Sequence, residues 1–595
     1  MKLIHLIGIC VFVAGLAIHP LKITRAFFSD EAVYYTMAYS FAYDGDMQFK
    51  REDLIRVYKE FSAGPQGIVL KINERDQNIV FGKSYLYALM AAPFVRVFHT
   101  NGFFVFYAVL LWLNLLCAYR FYISFMKPRN SLLFSVFYFI ANATVIYLYW
   151  MTPEYFNMSL ICYAFFFFVA GEQLKSTRIL LKEPYNYYVA ALFFAMATYS
   201  KPTNALLIVP LGIWMIYRKK ILAAMITFSI FVLFTVALFG INIYFTGDWN
   251  YQGGNRAVFY DHFPFERPGA SEFAAFHFRK PIHSMVKPPF YLQAFLHNWI
   301  YFFFGRFSGL AIYFLPMFFC LVYFIVTKKT SLSVAVYFAG WIGILTYMVG
   351  IPWNYFGGSG TIGNRYLLNS FAVLLFAIQQ EPSRKALAAG IGSSLLFTTP
   401  LLFSPVLSSF DNSFHQERGL LHLLPVEKTL LADLPINTNQ LARRVAFDDP
   451  ANYLLYFMDD NTYYREAMDH YYGFWVKGER SADIVMRTFV PVTKLRLRLK
   501  SLAPNNVADI RVGMQSIHVD LDTSQFFEGE INLPKPLPYD RDGTGATYLY
   551  QITIHPKKGM VTQMNSSIDR YLGVFVRMEL PEAAQKQIPE EEPEE

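Results

Sequence analysis

Thirteen apolar runs set the limits on what this chain can fold into. They lie near residues 3–20, 84–98, 103–125, 131–149, 155–171, 186–200, 203–217, 221–245, 290–304, 308–326, 331–350, 365–380 and 386–404. Runs of this length and density need an apolar medium on their outside. Only 16% of the 595 residues are charged, against about a quarter in an ordinary soluble domain. A soluble enzyme is therefore excluded, and the class is a polytopic α-helical membrane protein. The formal charge of +8 is spread over short loops between apolar runs, which is a topology pattern and not a nucleic-acid footprint. Cys10, Cys117, Cys162 and Cys320 all sit inside apolar runs, so there is no disulfide framework and no Cys-rich metal site.

Charge decides which runs cross. If 84–98 and 290–304 stay on one side, the basic loops at Lys127/Arg129, Lys175/Arg178/Lys182, Arg218–Lys220, Lys328/Lys329 and Arg384/Lys385 all fall in the cytoplasm, as the positive-inside rule requires. Both runs are also shorter than the roughly 17–25 residues of a spanning helix, so they read as helices on or dipping into the outer leaflet. About eleven spans result, with the N-terminus cytoplasmic and outer-face loops at 21–102 and 246–307. The segment LAIHPLKI, residues 16–23, lacks a small-x-small cleavage site, so residues 1–20 read as an uncleaved first span. The outer compartment reads as periplasmic or extracellular, beyond a plasma (inner) membrane.

After about residue 404 the pattern changes. Residues 405–480 mix Pro, Asp and aromatics without a period and read as a connecting segment. Over 481–580, Leu495, Leu497 and Leu499 interleave with Arg496, Arg498 and Lys500, the period of a strand. Further strands are predicted near 484–490, 508–513, 515–522, 546–555 and 571–579, separated by turn signals, which suggests a β-sandwich. The acidic tail, 581–595, reads as solvated. No internal repeat is evident.

Carboxylates are scarce in the apolar part, so those present carry information. Asp30 and Glu31 follow the first span; they serve equally well as first-turn acids after an N-cap Ser29. Glu154 follows Pro153 at the start of another span, which is also ordinary helix-start chemistry. Lys201, in SKPTN, and Arg365 with Tyr366, in GNRYLLN, are cations on the outer side, against the topology rule. They either snorkel to lipid phosphates or capture the phosphate of a substrate. Arg256, His262, Trp249, Tyr251 and Tyr260 of the second outer loop are candidates to line the same cleft, with interfacial anchoring as the plainer reading. Gly358, Gly360 and Gly363 match G-x-G-x-x-G without a βαβ unit, GKS at 82–84 lacks the upstream Gly of a P-loop, and no zinc spacing occurs.

The order of these features resembles the GT-C glycosyltransferases, and within them the protein O-mannosyltransferases and lipid A aminoarabinose transferases. An acidic pair follows the first span, a short apolar helix (GKSYLYALMAAPFVRVFH) follows in the first outer loop, and an acid, a Lys-Pro and an Arg-Tyr come later. The resemblance covers residues 1 to about 400. Glu154 stands where many relatives carry Asp, and the C-terminal part is similar to the sandwiches of arabinosyltransferases. It implies transfer of a sugar, usually with inversion, from a polyprenyl-phosphate donor to an acceptor hydroxyl of a cell-envelope glycan, lipid or protein on the outer face. It also implies that Asp30 is the base, that Glu31 and Glu154 position the acceptor or a divalent cation if one binds, and that Lys201, Arg365 and Tyr366 hold the donor phosphate. A transporter or flippase of lipid-linked saccharides is the rival from another class, and a silent glycan-binding scaffold a third.

Overall fold

The computed structural model describes residues 2–18, 29–61, 67–73, 75–174, 178–251, 256–259, 292–358, 362–409, 419–431, 453–540, 546–563 and 569–580. Two compact units divide it: Met1–Met285, Ser308–Ile351 and Tyr355–Phe410 form the first, and Val286–Phe307, Pro352–Asn354 and Asp411–Glu595 the second.

The first unit opens with α1 (Lys2–Ala17), α2 (Ser29–Tyr43), α3 (Arg51–Glu60), α4 (Leu86–Phe98) and α5 (Asn101–Tyr122). It continues with α6 (Pro128–Phe139), α7 (Glu154–Gln173), α8 (Tyr185–Ser200), α9 (Val209–Tyr217) and α10 (Ile221–Thr246). The second unit contributes α11 (Leu292–Phe304), and α12 (Leu315–Val326), α13 (Ser331–Gly350) and α14 (Arg384–Phe403) complete the first. Among the described residues, five helices are long and apolar enough to cross a membrane: α5, α7, α10, α13 and α14. Their environments differ. α7 is buried along nearly its whole length, packing against α5 and α8. α10 instead turns Leu222, Met225, Leu233 and Val236 outward, at 71%, 63%, 69% and 49% exposure. So much apolar surface on one helix calls for lipid as its surroundings. The protein is an integral membrane protein with several apolar helices.

Three expectations change in detail. The run at 131–149 is not one straight span: α6 and a 3₁₀ helix at Ala143–Tyr149 meet at 62°, and a sixth crossing results only if this bent pair counts as one. The break is held by Asn142, whose side chain accepts from the Thr144 N–H and donates to the Phe137 and Tyr138 carbonyls. The run at 365–380 forms short turns, Leu368–Phe371 and Leu374–Ala377, in place of a continuous helix. Eleven crossings are therefore not reached by helix length alone. At 13 residues, α4 spans about 20 Å at 1.5 Å per residue, short of the roughly 30 Å hydrocarbon layer, in keeping with its exclusion from the spans. Its Leu86, Tyr87, Ala91 and Val95 pack inward while Leu89, Met90 and Val97 face out.

A small antiparallel sheet ties two loops of the first unit. Strand β1 (Ile68–Ile72) lies between β2 (Ile79–Phe81) and β3 (Arg256–Phe259), with Ile68 opposite Phe259 and Lys71 opposite Arg256. Lys71 is almost fully buried and reaches Asp248 at 3.3 Å.

The second unit carries a sandwich of two antiparallel sheets. One is ordered β10 (Gln515–Leu521), β9 (Asn506–Val512), β13 (Thr547–Pro556), β7 (Ala482–Thr488), β4 (Tyr453–Phe457), with β12 (Leu537–Tyr539) beside β13. The other is ordered β11 (Phe527–Asn532), β8 (Lys494–Lys500), β15 (Arg570–Glu579), β6 (Tyr471–Lys477), β5 (Thr462–Met468), with β14 (Met560–Thr562) beside β15. Leu495, Leu497 and Leu499 enter the shared core with Ile484, Ile510, Ile552 and Val576. Arg496 and Arg498 face outward, opposite Glu530 and Glu528, which is the alternation predicted for this strand. The sheets begin at Tyr453, well before residue 481. β4–β6 are rich in buried Tyr, Phe and Trp, and the polar turns between them hid their period. Residues 432–452 and the acidic tail lie outside the described residues.

One cluster of buried charge is built around Arg306. Arg306, 3% exposed, sits 2.9 Å from Asp483. Asp459 accepts the Asp483 N–H; burial, and then Asp483 itself, push its carboxyl up to about 7. Ligand-type atoms of His422, Asp459 and Asp483 lie within 4.8 Å of one another, with the Arg306 guanidinium as the neutralising cation.

Candidate active site

Asp30 and Glu31 occupy the first turn of α2, where unpaired N–H groups favour negative charge. The bend after α6 ends at Trp150 and Met151 and delivers Glu154 as the first residue of α7. The Met151 N–H donates to Glu31 Oε1 at 3.3 Å. Tyr107 donates to the Thr152 carbonyl, and its hydroxyl lies 2.5 Å from that of Tyr87, fixing this corner. Lys201 follows the end of α8, at the turn into a 3₁₀ helix beginning at Pro202.

Arg365 joins these pieces. One terminal nitrogen lies 3.5 Å from Asp30 and 3.7 Å from Glu154, while its guanidinium covers the Trp150 ring at 5.4 Å and the Tyr366 ring at 5.6 Å. The approach requires a glycine at 357, where φ is +99° and a Cβ would fall 2.3 Å from Arg365 Cγ. On the opposite flank of Asp30 the Lys83 ammonium stands 2.7 Å away. Lys201 lies over Tyr366 at 3.8 Å and Tyr347 at 5.0 Å, the two rings stacked at 4.9 Å. Asp30, Glu31, Glu154, Lys201, Arg365 and Tyr366 thus gather around one locus from chain segments up to 335 residues apart.

Their electrostatics diverge. Burial would raise the Asp30 carboxyl, but Lys83 and Arg365 outweigh it and hold it well below the usual carboxylate range. Glu31 has no cation so close; burial pushes it up to about 7, with the Met151 N–H pulling the other way. Burial lowers Lys201 to about 7, against the pull of Glu154 and with the push of Arg365. Arg365 Nε and Glu154 Oε2 are buried with no hydrogen-bond partner, leaving one donor and one acceptor for a ligand. The oxygens a divalent cation would use on Asp30, and one on Glu154, face side-chain cations instead.

Other expected residues fall around this centre. Tyr251 is buried and donates to the Ser200 carbonyl at 3.1 Å, one residue from Lys201; it supports the Lys201 turn. Trp249 stacks on Phe239 at 5.2 Å. Arg256 lies on β3 and passes close to Gly82, beside Lys83. His262 and Tyr260 lie outside the described residues. Two participants escaped the sequence reading. Lys83 belongs to the GKS string set aside as a failed P-loop, and Gly357 sits one residue before the dismissed glycine motif. A lysine just before the short apolar helix α4 was the available signal for the first.

No protein-family model matches the chain, and no curated protein matches it. Among solved structures, the crystal structure of ArnT from Cupriavidus metallidurans bound to undecaprenyl phosphate is similar at 12% identity, over 70% of this chain and 68% of that one, with a TM-score of 0.41.

Proposed function

We propose that the protein transfers a sugar from a polyprenyl-phosphate donor to an acceptor hydroxyl, at the outer face of the membrane. The observation that carries this reading is the convergence of Asp30, Glu154, Lys83, Arg365 and Lys201 from remote segments. A sugar leaving from phosphate needs a base for the incoming hydroxyl and fixed positive charge for the departing oxygens. Asp30 serves as the base, being part-exposed where Glu31 is buried. It takes the acceptor proton as that oxygen attacks the anomeric carbon opposite the phosphate, inverting it. Arg365 and Lys201 receive the negative charge of the leaving phosphate, and the Tyr366 ring shapes the space between them. As the phosphate engages Arg365, Asp30 loses part of the field that lowers its proton affinity and becomes a better base. Glu31 and Glu154 position the acceptor. The named charges cluster at helix starts and turns, unlike the mid-membrane placement usual for transporters.

The test is to incubate the purified protein in lipid vesicles with a panel of polyprenyl-phosphate sugars and a cell-envelope extract as acceptor. Time-dependent release of polyprenyl phosphate is expected; none with any donor would remove the reading.

Donor capture is expected to weaken with rising pH. Lys201 is cationic below about 7 and loses its charge, hence its hold on phosphate, above it. The donor KM should rise between pH 6 and 8, and Lys201→Arg should flatten that rise; an unchanged profile in the variant places the titration elsewhere.

In the same reading the chain lies in the inner (plasma) membrane with eleven crossings, residues 1–404 form the catalytic part, and the β-rich part is periplasmic or extracellular. A reporter fused after residue 101 should then report outside. A reporter that reads inside would make α4 a crossing helix.

A further inference from the structure

The second unit contains a cavity of about 220 Å³ that the reaction does not use. It lies against the outward face of the β10-β9-β13 sheet. Arg511 projects from β9 while its neighbours Ile510 and Val512 enter the core, and Thr553, directly opposite Arg511 on β13, donates its hydroxyl proton to Asp483 at 2.8 Å and keeps its oxygen lone pairs to accept from a ligand. Two further elements of the same unit wall it: α11, through Gln293 and His297, and the turn at Lys428–Leu430. That turn is fixed to α11 by the hydrogen bond from Thr429 to Asn298, which places Lys428 at the cavity wall.

The lining has one sign. Lys428, Arg511 and Lys535 contribute cationic groups, and none of the lining residues is acidic. None of the three makes a side-chain ion pair among the described residues. Several other cations on this sandwich are paired, Arg496 with Glu530, Arg498 with Glu528, Lys500 with Asp469 and Lys557 with Asp509. Lys428 is also half-buried, and desolvation alone pulls its ammonium below the ordinary lysine range, with no carboxylate to offset it. A solvated basic face would carry no such cost; a cavity awaiting an anion would. The remaining wall is mixed. Leu549, with Leu537 beside it, offers apolar surface, and Gln551 and Thr553 offer hydrogen bonds, the combination a sugar ring presents to its binder through C–H faces and hydroxyls.

We propose that this cavity is a binding site for an anionic saccharide, one sugar unit carrying a carboxylate or a phosphate, held by Arg511, Lys428 and Lys535 at the charged end and by Gln551 and Thr553 along the ring. The site belongs to the second unit and does not depend on the transferase reading. Its size is below the roughly 300–1,000 Å³ of drug-sized pockets, which suits one residue of a glycan and not an extended chain.

The experiment is calorimetric titration of the purified full-length protein with glucuronate, glucose 6-phosphate, glucose and inorganic phosphate. At least one of the two acidic sugars should bind saturably and neutral glucose far more weakly. Arg511→Ala and Lys428→Met should each weaken that binding by about tenfold or more, as expected for losing a charge-assisted contact. Lys535→Glu, at a position as exposed as Arg511, should weaken it as well and keeps the test valid if the variant at half-buried Lys428 unfolds. Turnover of polyprenyl-phosphate donor is read on the same samples, so loss of this site and failure of the transferase reading separate. Absence of binding by both acidic sugars, or affinities unchanged in all three variants, overturns the proposal. Inorganic phosphate binding as tightly as glucose 6-phosphate overturns its saccharide half.

Discussion

Asp30→Asn is expected to reduce sugar transfer by about 10² to 10⁴-fold, the usual contribution of a positioned general base, while leaving protein level in the membrane unchanged. The amide keeps the shape and can still accept from Lys83, 2.7 Å away, but it cannot take the acceptor proton. Its neutrality also leaves Lys83 and Arg365 with one fewer negative charge between them, so donor binding should hold or tighten as turnover falls. The measurement is single-turnover transfer from a labelled polyprenyl-phosphate sugar, with donor binding determined separately. Normal turnover in this variant removes Asp30 as the base. Turnover lost together with donor binding assigns it to assembling the cation pair instead.

Arg365→Ala should produce the other large effect. The guanidinium faces Asp30 and Glu154 at 3.5 and 3.7 Å and keeps Nε without a protein partner, poised for a further oxygen. Removing a donor aimed at developing charge costs about 10²- to 10³-fold in kcat, and the donor KM should rise as well. Arg365→Lys should recover only part of the loss, because a point charge replaces a planar fork stacked between Trp150 and Tyr366. A variant with kcat intact and only KM raised would place Arg365 in ground-state binding alone. The alanine variant should also leave Asp30 and Glu154 less compensated, so thermal unfolding is measured alongside activity.

How much was readable in advance follows from the kind of signal involved. The apolar runs announced the helices because periodicity and length are local properties, and the Leu/Arg alternation of β8 did the same for the sandwich. Asp30, Glu154, Lys201 and Arg365 were recognisable because charge is scarce in such a chain and each sat at the end of an apolar run. Lys83 was not: its importance comes from the distance to Asp30, which no local pattern encodes. The bend at 140–142 escaped for a related reason, since Asn142 satisfies the interrupted backbone through its side chain and leaves hydropathy unaltered. The turns at 368–377 are apolar like a span but lack the helical continuity that a hydropathy pattern presumes. Strands β4–β6 were lost because their buried aromatics do not alternate cleanly with polar residues.

The strand pairing of Ile68 with Phe259 sets a timetable for biosynthesis. The ribosome completes α4 through α10 before the partner of β1 exists, so residues 68–72 wait, half-paired with β2, until residue 256 is made. Arg365 emerges later still, which means Asp30 spends that interval without its guanidinium. A nascent chain halted before residue 256 should accordingly be degraded more readily at 67–81 than one allowed to proceed past 259.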